Sequence, residues 1–112
     1  MKQWDIFLYP FDKQQPHPIL IISNSEICKN ERIEEVNGLF CRSAGNKEIR
    51  HHQVALDESD GLDWKTHVDC DFIYTLPKKD FEEQRGHVES HPRRKQLAAK
   101  IAECFRFALY VR

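Results

Sequence analysis

Five short runs of aromatic and aliphatic residues, each closed by polar, proline or glycine residues, fill the chain from residue 4 to residue 76. Runs of this length and composition are typical of β-strands. The second run, Ile19-Leu-Ile-Ile-Ser23, contains four consecutive aliphatic residues, which indicates a strand that is buried on both faces. The chain is therefore predicted to be mostly β.

Polar segments connect the five predicted strands. The strands are Trp4–Phe11, Ile19–Ser23, Val36–Ser43, His51–Asp57 and His67–Leu76. In the fifth, Val68, Cys70, Phe72 and Tyr74 alternate with His67, Asp69, Asp71 and Ile73. Asn24–Arg32 predicts a loop or a short helical turn, and turn residues separate later strands at 44–47 and 59–61.

The last part of the chain has helical periodicity instead. Ser90 can cap a helix and Pro92 suits its first turn, so we expect a helix from about Pro92 to Ala108 across an open end of the sheet. Its apolar positions are Leu97, Ile101, Cys104 and Phe105, widened by Ala98 and Ala102, while Arg93, Arg94 and Lys100 are left for solvent. These elements predict a small β-barrel of five to six strands with a C-terminal α-helix, as one domain over residues 1–112.

The charge of the chain is balanced overall but divided along its length. The formal net charge of −1 argues against a general nucleic-acid coat, which should be strongly basic. Residues 57–71 carry six acidic residues against one lysine, and residues 92–112 carry six basic residues against one glutamate. Any contact with nucleic acid must therefore be local.

Cysteine and histidine spacing gives no metal motif. The four cysteines lie far apart without a Cys-x-x-Cys pair, which supports neither a zinc knuckle nor a disulfide framework. His51 and His52 would point to opposite faces of a regular strand, and the pair His67 and Asp69 has no third or fourth ligand at a telling spacing. We expect no cofactor and no bound metal.

The sequence also predicts a location. Met1 is followed by Lys-Gln-Trp-Asp without the apolar core of a signal peptide, and no apolar run approaches the roughly 20 residues of a membrane span. We therefore expect a cytoplasmic protein without membrane contact.

Four segments in order resemble the MazF/PemK toxins. They are Trp4–Phe11, His17–Asn24, Gly61–Asp63 with Val68–Leu76, and Lys78–Phe81 with Gly86–Val88. They are similar to the family's Gly-Asp-Ile/Val opening strand, its Arg-Pro and aliphatic strand, its Gly-Leu and Gln-Ile-Arg-Thr segments, and the elements before its last helix. The resemblance implies an SH3-like barrel that acts as the toxin of a type II toxin–antitoxin pair, forms a homodimer and is held by an antitoxin protein. It further implies metal-independent cleavage of single-stranded RNA.

The departures from the family pattern fall at its functional positions. The family's leading glycine is Trp4 here, and its arginine before the proline is His17. The glutamine and arginine of Gln-Ile-Arg-Thr are Phe72 and Tyr74, and the arginine of an Arg-Cys-Asp variant matches Asp69. The scaffold is therefore expected to transfer more fully than the chemistry.

The resemblance implies that His17, Ser43 and Asp71 face one cleft as catalytic residues. Metal-free RNA cleavage needs a base for the 2′-hydroxyl, an acid for the leaving 5′-oxygen and positive charge on the phosphate. His17 would be the acid or base, Asp71 would orient it, and Ser43 would hydrogen-bond the phosphate. The implied RNA-binding residues are Arg42, Phe72, Tyr74 and Thr75. Regular alternation would, however, place Arg42 on the face opposite Ser43.

The basic start of the last helix has a proposed partner. Toxins of this type are covered by an extended acidic antitoxin segment, and Arg93, Arg94 and Lys95 are the residues expected to bind it.

Other interpretations of the same residues stay open. His17 can be a solvated loop residue, Ser43 a turn residue, Asp69 and Asp71 an exposed polar strand face, and the basic helix a solvated surface. Two other functional classes also fit the barrel. One is a non-catalytic toxin similar to CcdB, which poisons gyrase or another target by binding, and Phe72 and Tyr74 favour it as contact surface. The other is a barrel that has lost toxicity.

Overall fold

Seven antiparallel strands and a C-terminal helix make up the computed structural model, which describes residues 1–12 and 15–106. The strands are β1 (Asp5–Asp12), β2 (Gln15–Ile21), β3 (Glu35–Ser43), β4 (Gln53–Leu56), β5 (Thr66–Asp69), β6 (Tyr74–Pro77) and β7 (Gln84–His87). The helices are α1 (Ser25–Lys29) and α2 (His91–Cys104), with 3₁₀ turns at Glu58–Asp60 and Lys78–Asp80. The mostly β architecture with a closing helix is confirmed, with seven strands in the described residues instead of five or six.

The sheet is organised around β3. Its order is β4-β5-β3-β2-β1-β7, and β6 also pairs with β3. The first half of β3 pairs with β6 and its second half with β5, so one long strand supports two short ones. This arrangement places the end of β3 beside β5 and β4, where the candidate site lies.

The prediction of a single strand over His67–Leu76 is wrong. Val68 pairs with Cys41 and Tyr74 pairs with Gly38. Five residues therefore lie between Val68 and Tyr74, but only two lie between Gly38 and Cys41 on β3. The excess leaves the sheet at residues 70–73. A second correction concerns the fourth strand, which begins at Gln53 because His51 and His52 lie in the preceding turn.

The core has two parts, one on each face of β2. Leu20 belongs to a cluster with Ile6, Leu39, Val54, Leu56, Val68 and Leu97, among others. Ile19 and Ile21 belong to a second cluster with Cys28, Val36 and Leu76. Ile19, Leu20 and Ile21, the last three residues of β2, are fully buried, which confirms the prediction of a strand covered on both faces.

Helix α2 covers the first cluster. The Ser90 hydroxyl accepts a hydrogen bond from the Arg93 amide at 3.3 Å, and Leu97 is fully buried, as predicted. Ala98 and Ala102 are instead exposed, since the buried stripe narrows to Leu97 with Ile101 and Cys104 packed beside it. The helix ends at Cys104 with Phe105 as its C-cap, so the predicted continuation through residues 105 and 106 is wrong, and the predicted end at Ala108 lies outside the described residues.

The basic residues of α2 are not all left for solvent. Arg93 Nε donates to Asp60 Oδ1 at 2.9 Å, and the Asp60 side chain is only 1% exposed. Arg94 Nε donates to the Val88 carbonyl at 2.7 Å, and its Nη2 lies 3.0 Å from His87 Nε2. The expectation of free arginines fails because long-range partners, invisible in the local sequence, meet the helix start.

Trp4 has an unusual backbone conformation. Its φ of +76° lies in the left-handed region, which disfavours side chains with a Cβ. Its amide donates to the Ile21 carbonyl at 2.8 Å and its carbonyl accepts from the Val88 amide at 2.9 Å, so β2 and the segment after β7 both hold it. Trp4 occupies the position of the family's leading glycine, and this φ explains why glycine suits that position.

No helix within residues 1–12 or 15–106 is long and apolar enough to cross a membrane.

Candidate functional site

A cleft of about 750 Å³ opens at the end of β3, beside β4, β5 and the segment before β6. Its lining is mainly polar and aromatic. The lining residues are Phe40, Arg42, Ser43, Lys47, Glu48, Arg50, His52, Gln53, His67, Asp69, Asp71, Phe72 and Tyr74. The cleft therefore combines cations, carboxylates, two histidines and aromatic rings.

Asp69 is a buried carboxylate at the base of the cleft. Arg42 Nε donates to its Oδ2 at 2.6 Å, and Gln53 Nε2 donates to its Oδ1 at 2.8 Å. The Asp69 side chain is 8% exposed, so the interpretation of Asp69 as part of an exposed polar face is wrong. These two donors satisfy the carboxylate, which a buried charge requires.

Arg42 links this buried carboxylate to solvent. Its side chain is 59% exposed although its Nε is bound to Asp69, and a guanidinium has five N–H donors. The guanidinium also lies 5.0 Å from the centre of the Phe40 ring, a cation–π distance. Arg42 and Ser43 both line the cleft, although regular alternation would place their side chains on opposite faces of β3. Arg42 is thus held in place while donors remain for an anion.

His52 lies between two carboxylates. Its Nε2 is 3.7 Å from Asp69 Oδ1 and 3.9 Å from Asp71 Oδ1. Asp69 is already bound by Arg42 and Gln53, whereas the Asp71 side chain is 51% exposed. One nitrogen of the imidazole therefore lies within ion-pair distance, beyond hydrogen-bond distance, of both a buried acid and an accessible acid. Such an arrangement can hold and move a proton.

Sequence reasoning did not identify His52 as a site residue. The sequence predicts a strand at His52, whereas His52 lies in the turn before β4, and its carbonyl accepts a hydrogen bond from the Cys70 amide at 3.0 Å. The antiparallel pairing of β4 with β5 places Gln53 opposite Asp69. It thereby brings His52, which precedes Gln53, close to the Asp69 carboxylate, and a prediction of this pairing would have identified His52. His67, Lys47 and Arg50 were likewise not assigned to the site.

Three cations line the cleft. Lys47 and Arg50 are exposed in the loop between β3 and β4, and Arg42 lies at the end of β3. Gly45, with a φ of +52°, forms the turn that starts this loop. Glu48 lies in the same loop, so the lining carries three carboxylates beside its three cations, and Asp69 is already paired with Arg42.

The residues predicted from the sequence are divided by the structure. Those that line the cleft are Arg42, Ser43, Asp71, Phe72 and Tyr74. His17 lies on β2, opposite Tyr9, and its ring centre is 4.9 Å from that of Phe40 at the border of the cleft. No contact joins His17 to Asp71 among the described interactions; the near partner of Asp71 is His52.

The other predicted residues lie away from the cleft. The Thr75 hydroxyl accepts a hydrogen bond from Asn37 Nδ2 at 2.9 Å, within the pairing of β6 with β3. Arg93, Arg94 and Lys95 lie on α2, where Lys95 is exposed.

The cysteines are unsuited to nucleophilic chemistry. Burial raises the pKa of the Cys70 thiol to about 12 and also raises the pKa of Cys41. Desolvation raises the pKa values of Cys28 and Cys104 too. Since the thiolate is the reactive form, none of these groups competes with the histidines of the cleft.

Solved structures with the same fold are toxins. The chain superposes on an endoribonuclease in complex with its cognate antitoxin, from a mycobacterial species, with a TM-score of 0.76 and 18% identity over 98% of this chain and 97% of that one. The Mycobacterium tuberculosis toxin MazF-mt6 gives 0.75 and 20% over 93% and 98%. A chain of the MazE–MazF complex from Deinococcus radiodurans gives 0.75 and 14% over 96% and 97%. At these identities the likeness shows the fold alone.

Sequence comparison is more specific. No curated protein matches the chain. A family model described as PemK-like, MazF-like toxin of type II toxin–antitoxin systems matches residues 2–105. Because this match spans nearly the whole chain, the protein belongs to the PemK-like, MazF-like toxin family.

Proposed function

We propose that this toxin is a metal-independent endoribonuclease that cleaves single-stranded RNA in the cleft at the end of β3. The observation that carries the proposal is the position of His52 Nε2, 3.7 Å from Asp69 and 3.9 Å from Asp71, beside the exposed Arg42 guanidinium. A proton-transfer group and a phosphate-binding cation therefore share one site. Three of the solved structures with this fold are described as an endoribonuclease or as MazF.

The proposed reaction uses the RNA's own 2′-hydroxyl. The 2′-oxygen attacks the adjacent phosphorus as a base removes its proton, and the bond from phosphorus to the 5′-oxygen breaks as an acid protonates that oxygen. The products are a 2′,3′-cyclic phosphate and a free 5′-hydroxyl. Arg42 stabilises the charge that develops on the phosphoryl oxygens, and Ser43 can donate a hydrogen bond to one of them.

Two histidines are candidates for the proton transfers. His52 Nε2 lies 3.7 Å from Asp69 and 3.9 Å from Asp71, and His17 lies at the border of the cleft against Phe40. The resemblance implies that Asp71 orients His17; in this proposal Asp71 instead supports His52, and His17 is the second proton-transfer group.

The test is cleavage of a long single-stranded RNA by the purified protein with EDTA present. A group that transfers a proton typically contributes about 10²–10⁴-fold to the rate. His52→Ala should therefore lose at least about 10²-fold in rate, and Asp71→Asn somewhat less. His91→Ala is the matched control, because His91 is an exposed histidine on α2 outside the cleft, and it should cut at the wild-type rate.

Two results would contradict the proposal. If His52→Ala cuts as fast as the control, the proton-transfer group is elsewhere, and the same measurement on His17→Ala decides whether it is His17. If the wild type cuts no long RNA at all, catalysis is excluded and a toxin that acts by binding, similar to CcdB, becomes the better explanation.

The proposed assembly is a cytoplasmic homodimer held by an antitoxin. The chain mass of 13.3 kDa predicts about 27 kDa by light scattering, and two-fold pairs are the commonest soluble oligomers. Among the solved structures with this fold, one is described as a complex with its cognate antitoxin and another as MazE–MazF. A monomer at micromolar concentration would contradict the assembly.

The proposed antitoxin-binding residues are Arg93, Arg94 and Lys95. They differ in their contacts within the fold, so they differ in their use for testing antitoxin binding. Arg93 and Arg94 have internal partners, so reversing their charge would also disturb the fold. Lys95→Glu changes an exposed charge alone. It should slow association with an acidic antitoxin segment and weaken the salt dependence of the association rate. An unchanged rate would exclude this part of α2 as the binding surface.

A further inference from the structure

We propose that a row of five aromatic side chains, the aromatic row, stacks the bases of the RNA segment that leads into the cleft. Its members are Phe72, Tyr74, Phe11, Tyr9 and Phe81. This inference rests on the proposed RNA substrate. It adds the place where the bases next to the cleaved phosphodiester bond are held.

The five rings are consecutive in space although they come from separate parts of the chain. The distances between neighbouring ring centres are 4.7 Å from Phe72 to Tyr74, 5.2 Å to Phe11, 4.8 Å to Tyr9 and 5.0 Å to Phe81. Phe72 and Tyr74 line the cleft together with the proposed catalytic residues. The row thus begins in the cleft and runs away from it across β6 and β1.

The aromatic row packs against the core on one side and is partly exposed to solvent on the other. Tyr9, Tyr74 and Phe81 pack against the second core cluster, which fixes their positions. Phe11 is 39% exposed and Phe72 is 58% exposed, values that are high for large apolar side chains. Proteins that bind single-stranded nucleic acid present exposed aromatic side chains of this kind, because every base has a face that can stack on a ring.

Charge distinguishes the two ends of the row. Arg42, Lys47 and Arg50 line the cleft at the Phe72 end. At the other end Phe81 lies between Asp80 and Glu82, with Lys79 one residue before Asp80, so this end has fewer free cations than the cleft. Burial and the charge of Asp80 raise the pKa of Tyr9, consistent with an acidic neighbour there. This polarity favours a nucleic acid that places its reacting phosphate in the cleft and its neighbouring bases on the row.

The inference has a consequence for specificity. Phe72 and Tyr74 stand where the family pattern has glutamine and arginine, which can hydrogen-bond to base edges. Rings recognise base faces instead, so this chain should tolerate many sequences and depend on stacking strength.

The probe for the test is a 12-nucleotide single strand with 2′-O-methyl groups, which binds but cannot be cleaved because its 2′-oxygen is blocked. Phe11→Leu in the full chain should weaken binding by roughly 5- to 100-fold, the range for losing one stacked base. Phe11→Trp should restore it. Ile33→Ala is the control, since Ile33 is 37% exposed but lies outside the aromatic row. Phe72→Leu, at the more exposed end, is the alternative variant if Phe11→Leu does not fold.

A second probe isolates the bases. An abasic 2′-O-methyl strand of equal length keeps the phosphates but has nothing to stack, so Phe11→Leu should bind it as the wild type does. If Phe11→Leu and Phe72→Leu both bind the base-containing strand like the control while the wild type cleaves RNA, the row is not a base-binding site and the proposed nuclease function stands. If the wild type binds neither strand and cuts no RNA, the proposed function itself fails. If the variants keep RNA affinity but lose dimerisation or antitoxin binding, the row is a protein interface and the inference is overturned.

Discussion

The ion pair between Arg93 and Asp60 should be a major contact between α2 and the rest of the fold. Arg93 Nε donates to Asp60 Oδ1 at 2.9 Å, and the two side chains are 24% and 1% exposed. Asp60 Oδ2 also accepts the Asp57 amide at 3.0 Å, in the cap of the 3₁₀ turn. Replacing Arg93 by methionine keeps an apolar stem but removes the charge, which leaves a buried carboxylate with one weaker donor.

The size of the effect follows from this burial. Removing one partner of a fully buried pair costs roughly 3–5 kcal/mol, because the other charge is left uncompensated. Arg93 is partly exposed and Asp60 keeps the Asp57 amide, so we expect Arg93→Met to lower the free energy of unfolding by about 2–3 kcal/mol. In a domain of this size that corresponds to a fall in Tm of about 10–15 °C.

The assay is chemical denaturation of four proteins: the wild type, Arg93→Met, Asp60→Asn and the double variant. The double-mutant cycle should give a coupling energy of at least about 1 kcal/mol between the two side chains. Lys95→Met is the matched control on the same helix, and it should change stability by no more than about 0.5 kcal/mol because Lys95 is exposed. If Arg93→Met is as mild as Lys95→Met, the ion pair contributes nothing measurable to stability, and the prediction is refuted.

Two further predictions concern the core. Leu97→Ala should lower the free energy of unfolding by about 3–5 kcal/mol in denaturant titration, since it removes a fully buried side chain under α2; a loss under about 1 kcal/mol would mean that the helix does not cover the core. At pH 8 the native protein should leave Cys41 and Cys70 unmodified by iodoacetamide, because burial raises both thiol pKa values and the thiolate present at that pH is therefore scarce. Mass spectrometry should find both modified after unfolding, and fast labelling of either in the native state would contradict their burial.

The elements that the sequence predicted correctly are those whose signals are local. The aliphatic run at residues 19–22 and the cap at Ser90 each fix a nearby conformation, and both features appear as expected. The start of α2 and the turn at residues 44–47 depend on the same kind of short-range chemistry, whereas the end of α2 comes earlier than predicted.

The errors share a different cause, which is dependence on a distant strand. The fifth predicted strand divides because its two halves take different registers on β3, and no property of residues 67–76 alone records that choice. His52 joins the cleft because β4 pairs with β5. Arg93 leaves solvent because Asp60, 33 residues earlier in the chain, is buried beneath it. Alternation specifies which face a residue occupies only when the strand is continuous.

The left-handed backbone at Trp4 has an evolutionary consequence. A residue with a Cβ at φ of +76° costs about 1–2 kcal/mol in conformational energy, which glycine at this position avoids. The tryptophan ring, however, packs against the first core cluster, so its removal would leave a void. A glycine, as in the family pattern, would meet this backbone requirement without strain, whereas the tryptophan of this chain offsets the strain by packing. Exchange between the two should be neutral only when neighbouring core residues change with it, so sequence variation at position 4 should be correlated with variation in the residues that its ring contacts.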